Sequence, residues 1–171
     1  MNINFISLIL AALVPTIIGF IWYHDKVFLK PWMKETGMTH EKMKSGNMLK
    51  IFGGSLLCSL LLAWVMNLIA YHDSFVMGSL FYATNGTMNP DPNSLAGQWY
   101  KTYQDNFALS NHTFKHGAFH GMMIGGILIA LPILITESLY EQRSWKYVLI
   151  KGGYWILCLA LMGGIIAAMA K

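Results

Sequence analysis

Four apolar stretches, each long enough to cross a bilayer, occupy most of this chain, and almost no charge interrupts them. They run over Asn4–Tyr23, Ile51–Tyr71, Gly117–Thr136 and Tyr147–Met169. A helix needs about 20 apolar residues to cross roughly 30 Å of hydrocarbon, and each stretch reaches that length. Composition agrees: 55% of residues are hydrophobic and 12% charged, about half the charged share of a soluble domain. The expectation is an all-α, polytopic membrane protein. Four transmembrane helices form one small bundle over residues 1–171, with a long outward-facing loop at 72–115 between the second and third. The start MNINF carries no Lys or Arg, so the first span does not read as a cleaved signal peptide.

Orientation follows from the basic residues. The first connection (24–50) holds Lys26, Lys30, Lys34, Lys42, Lys44 and Lys50, and the third (137–146) is flanked by Arg143, Lys146 and Lys151. The second connection and the C-terminus hold only Lys101, Lys115 and Lys171. Loops rich in Lys and Arg stay in the cytoplasm, so both termini and the long loop are expected outside. Trp22, Tyr23, Trp32, Trp145, Tyr147, Tyr154 and Trp155 gather near the inner boundary as an interfacial belt. With the lysines beside spans, the net charge of +4 reads as a topology signal and not as a nucleic-acid stripe. Pro31–Thr36, ended by Gly37, reads as a short interfacial turn. Thr39 reads as the N-cap of a helix leading straight into the second span.

The chain resembles a known family at two places. The segment GFIWYHDKVFLKPWMKETGMTHEKMKSGNM (Gly19–Met48) is similar to the first half of the domain of unknown function 1761 family, and LYEQRSWKYVLIKGGYWILCLALMGGIIAA (Leu139–Ala168) to its end. The resemblance implies a small bacterial inner-membrane protein of four helices with no established activity. The long loop departs from shorter members, and the TFKHGAFHG entry to the third span is closer to a Bacteroidota subgroup. No catalytic residue follows from it.

The third span carries the constellation with most chemistry. In NHTFKHGAFHG, His112, His116 and His120 recur every four residues, which advances about 40° around a helix and about 6 Å along it. Adjacent members of such a stripe can share a metal ion, but its two ends cannot. The expected site is therefore His116 with His120 and a third ligand from the outer end of the second span, His72 or Asp73, with His112 as an alternative partner of His116. A transition metal or a haem would suit such a set. The same histidines are also explained by interhelical hydrogen bonds to Asn67 or to loop carbonyls, or by a proton-handling or polar-ligand site. No zinc, copper or iron signature matches.

Gly117, Gly121 and Gly125 form a small-residue stripe beside the histidines, and Gly152, Gly153, Gly163 and Gly164 recur on the fourth span. They are expected to bring those helices backbone to backbone. Pro15 and Pro132 are expected to kink their spans. Cys58 and Cys158 read as free, buried packing residues. In the long loop, NGTMNPDPNS (Asn85–Ser94) is a turn-rich break, and Leu95–Phe107 reads as an amphipathic helix with Trp99, Tyr100 and Tyr103 facing inward. Its sequons, at Asn85 and Asn111, are incidental in a bacterial chain. Glu137, Glu141, Arg143 and Lys146 read as local ion pairs at the inner boundary.

No buried acid or arginine lies between the span ends, which argues against an ion-coupled pump. No nucleophile triad, phosphate loop or nucleotide fingerprint is present. The sequence favours a non-enzymatic scaffold or accessory, partner-binding membrane subunit. Its partners would be the lipid bilayer and a second copy or another membrane protein, not nucleic acid. The alternatives are a small-ligand, metal or proton-handling protein built on the outer histidines, and an intramembrane enzyme using the same residues.

Overall fold

A computed structural model describes residues 4–87 and 90–170; Lys171 and part of the turn-rich Asn85–Ser94 segment lie outside this range. Among the described residues the chain is helical and has no strand. Four helices are long and apolar enough to cross a membrane: Phe5–Trp22, Met48–Ile69, Phe114–Tyr140 and Trp145–Ala168, called here the first to fourth spans. Each begins at a polar side chain that accepts from the otherwise unpaired N–H groups of the first turn. Asn4 caps the first span, Asn47 the second, Thr113 the third and Ser144 the fourth.

The fourth span is the axis of the bundle. Its Cys158, Leu159, Met162, Ile166 and Ala167 form one core with Ala11 and Ala12 of the first span and Ala63 and Met66 of the second. Close approach to the third span depends on missing side chains. A Cβ added at Gly117 would lie 2.1 Å from the Gly163 carbonyl oxygen, and one at Gly121 would lie 2.1 Å from that of Leu159. Gly164 faces the ring of Phe114 and Gly152 faces Leu131, whereas Gly153 makes room for Trp22 of the first span. Gly125 faces Met66 of the second span, and its neighbour Gly126 takes the backbone of Ile156.

Hydrogen bonds clamp the first span antiparallel to the fourth at three levels. Asn4 donates to the Met169 carbonyl (3.0 Å), the Tyr154 hydroxyl to that of Pro15 (2.7 Å), and the Trp22 indole to that of Ile150 (3.1 Å). Tyr154→Phe is expected to cost about 1 kcal/mol, the net worth of one such bond, read as a lower denaturation midpoint in detergent.

The structure departs from the sequence expectations at several places. The helix begun by Thr39 stops at Lys44, and Asn47 caps a separate second span, because Ser45 and Gly46 break the run. The interfacial turn begins earlier than expected, as a helix over Leu29–Thr36. Cys58 is exposed on the second span and only Cys158 is buried; both are free thiols. In the loop, Tyr103 is buried and Tyr100 half-buried, but Trp99 is turned out, because the inward face of helix Leu95–Tyr103 is made by Ala96, Gly97 and Tyr103. Between the third and fourth spans Arg143 pairs with Glu141 at 3.1 Å and also donates to the Glu35 carbonyl, tying the third connection to the first.

The third span does not stay α-helical. Gly121–Ala130 runs as a π-helix, and α-helix resumes at Leu131 with Pro132 behind it. Proline cannot donate to the carbonyl one turn earlier, and wider i→i+5 bonding is how a helix absorbs such a fault. Gly121, Gly125 and Gly126 lie in this segment.

Candidate metal centre at one end of the bundle

The second span ends at Ile69, and Ala70–His72 turn the chain before a new helix, Asp73–Leu80. His72 occupies that corner. The third span starts opposite it: Thr113 accepts from the His116 amide at 3.2 Å, which places His116 in the first turn and His120 one turn further in. Three imidazoles, one from the corner after the second span and two from the third span, come together as a result. Ring centroids lie 4.9 Å apart for His72 and His116, 5.0 Å for His72 and His120, and 4.5 Å for His116 and His120. One ring nitrogen of each lies within 4.8 Å of the others.

Two buried ring nitrogens of this cluster, Nε2 of His116 and Nδ1 of His120, have no hydrogen-bond partner. Buried polar atoms are nearly always paired, and the exceptions call for an explanation. Of the hydrogen-bond partners expected from sequence, Asn67 instead accepts from the Tyr71 hydroxyl at 3.1 Å, whereas the His120 ring does meet a backbone group, that of Ile69 at the end of the second span.

His112 and Asp73 are placed elsewhere. His112 precedes the cap Thr113 and so lies off the third helix, outside the stripe that spacing alone suggests. Its Nε2 meets Asp73 Oδ1 at 3.1 Å, with both side chains about nine-tenths buried (9% and 12% exposed). A carboxylate only accepts, so Nε2 carries the proton of this contact, while Nδ1 is buried without a partner. The Tyr103 hydroxyl also donates to Asp73 Oδ1, at 2.8 Å, and Gln104 donates to Oδ2 at 3.4 Å. Asn111 in turn donates to the Tyr103 oxygen. Burial pushes the Tyr103 hydroxyl above the ordinary tyrosine value. Tyr103 therefore remains a proton donor to Asp73 throughout the neutral range.

Of the five residues expected as ligands, the fold thus unites His72, His116 and His120, and pairs Asp73 with His112 beside them. Tyr103 and Gln104 are not legible in the sequence as partners of Asp73, because nothing in their spacing shows that residues some thirty positions away return to it. Three imidazoles so placed could hold a metal ion. A zinc–nitrogen bond is about 2.0–2.1 Å, which puts tetrahedral ligand atoms about 3.4 Å apart, so the rings need close by little more than an ångström to share an ion.

Four apolar spans around a glycine-lined core define a multi-pass helical membrane protein with a histidine cluster at one end. The sequence profile of a family described as protein of unknown function (DUF1761) matches residues 6–167, nearly the whole chain, and the chain belongs to that family. No curated protein and no solved structure matches it significantly.

Proposed function

We propose that this protein binds one first-row transition dication in the membrane, held by His72, His116 and His120. The carrying observation is the convergence of three ring nitrogens within 4.8 Å, two of the rings holding buried nitrogens that bond nothing else. Imidazole suits zinc, copper, iron and nickel. Three protein ligands leave a fourth position for water or an exchangeable group. A haem would use one or two axial imidazoles, so three clustered rings favour a bare ion. The lysine distribution supports an orientation with the triad, both termini and the 72–115 loop in the periplasm of a bacterial inner membrane.

The test is zinc content by elemental analysis of untagged protein, purified in mild detergent, loaded and dialysed. Close to one zinc per chain is expected for the natural protein and none for His116→Ala/His120→Ala. Equal content in both would remove the reading.

A second reading, the non-enzymatic scaffold or accessory subunit, draws on the second span. Residues 48–58 are exposed on every side, and a Cβ added at Gly53 or Gly54 would meet no other part of the chain within 4 Å. This open stretch, rather than the Gly117–Gly121 stripe already used within the chain, is where a second copy or a partner helix would pack.

A further inference from the structure

The triad and the loop above it meet at one corner of the chain. His72 belongs to the histidine cluster, and the next residue, Asp73, anchors the loop. Three long-range side-chain bonds from segment 95–112 end on the Asp73 carboxylate, from Tyr103, Gln104 and His112. Other polar side chains of the segment bond locally: Gln98 to the Asn93 carbonyl, Lys101 to Asp105, Thr102 to the Gln98 carbonyl, Asn106 to that of Thr102, and Ser110 to that of Phe107. Beside the apolar burial of Ala96, Tyr103 and Ala108, these long-range polar bonds of the cap thus converge on one acidic residue, adjacent in the chain to His72.

The charge balance makes that adjacency consequential. Three imidazoles bind as neutral ligands, so a dication there keeps its full charge. Asp73, the next residue in the chain, is a buried carboxylate at the same corner. An ion fixes the His72 corner, and a fixed corner holds the Asp73 carboxylate where Tyr103, Gln104 and His112 can reach it. Conversely, those three donors hold the carboxylate, and with it the corner that presents His72.

Resting on the metal reading above, we propose that metal occupancy and cap docking are coupled through Asp73, which acts as a positioning residue of the metal centre. The bound ion tightens the 95–112 segment, and the docked segment slows release of the ion. Linkage requires the two effects to be equal in binding free energy. The outward side of the cap, which exposes Leu95, Trp99, Phe107 and Leu109, then displays the metal state at the protein surface.

The experiment is amide hydrogen exchange across 95–112 in the full chain in mild detergent, with and without zinc, together with zinc release to a chelator. Coupling of ordinary strength is worth about fivefold or more. Zinc is expected to slow cap exchange by at least about that factor in the natural protein, and to have no effect on it in His116→Ala/His120→Ala. Asp73→Asn is expected to abolish the zinc effect and speed zinc release by about the same factor. Tyr103→Phe keeps the carboxylate and removes one cap bond, so it should shift both readouts in the same direction by less, even if the Asp73 variant folds poorly. A natural protein that holds zinc at the triad while cap exchange ignores it, or variants that release zinc at the natural rate, would overturn the coupling and leave the metal site standing. A natural protein that binds no zinc would overturn both.

Discussion

Replacing His116 by leucine is expected to abolish zinc binding while leaving the metal-free protein at least as stable as the natural one, and by about 1 kcal/mol more stable if the orphaned nitrogen carries its usual cost. The sign follows from one unpaired atom. His116 Nε2 is buried and bonds nothing, and an apolar side chain of similar size removes that penalty. A histidine kept as structural glue would behave oppositely, since its removal would strand a partner. With zinc at a hundred times its dissociation constant, the natural protein should gain about 2.7 kcal/mol and the variant nothing. Denaturation midpoints of both proteins, with and without zinc, check this. A metal-free variant clearly less stable than the metal-free natural protein would assign His116 to packing.

Gly117→Leu is expected to be among the most damaging single substitutions in the chain. Its Cβ alone would meet the Gly163 carbonyl at 2.1 Å and the Ala167 side chain at 2.4 Å, and the reciprocal Cβ on Gly163 would meet the Gly117 carbonyl at 2.3 Å. Neither neighbour is the movable tip of a long side chain, so the third and fourth spans must separate. Overpacking of this kind costs about 1–3 kcal/mol, sometimes more. Gly121 sits one turn on, 2.1 Å from the Leu159 carbonyl by the same measure, so Gly117→Leu/Gly121→Leu is expected to prevent assembly of the fold. Gly53→Leu, at an open position inside a helix, should not destabilise the fold and should gain up to about 1 kcal/mol from helix propensity. Detergent denaturation of the three variants compares them directly. Because Gly117 lies between His116 and His120, loss of zinc should accompany loss of packing there.

Features that depend on local pattern are legible in the sequence. Span length and apolarity identify four membrane helices, and the i, i+4 spacing by itself sets His116 beside His120. The third member of the cluster is partly reachable in the same way, because the second span must end near the start of the third, which puts both His72 and Asp73 at the right depth; the fold brings His72 to the cluster. Nonlocal features are hidden. Spacing alone counts His112 with its neighbours, but Thr113 caps the helix one residue later and leaves His112 to Asp73. The carboxylate's other donors, Tyr103 and Gln104, return from across the loop. Aromaticity makes Trp99 read as an inward residue, yet small Ala96 and Gly97 take that face so that the helix can lie close: a Cβ on Gly97 would fall 1.9 Å from the Asp91 carbonyl. The ten-residue π-helix is equally hidden, since glycine and proline signal a fault in a helix without saying how the backbone will absorb it.

Whether His72, His116 and His120 share one metal ion is decided most directly by X-ray absorption at the zinc edge on the loaded, untagged protein. Three imidazole nitrogens at about 2.0–2.1 Å with one further light ligand, reduced to a disordered or absent shell in His72→Ala, is the predicted result. A shell of oxygens alone, or a spectrum unchanged by that substitution, would place any zinc elsewhere and contradict a shared three-histidine site.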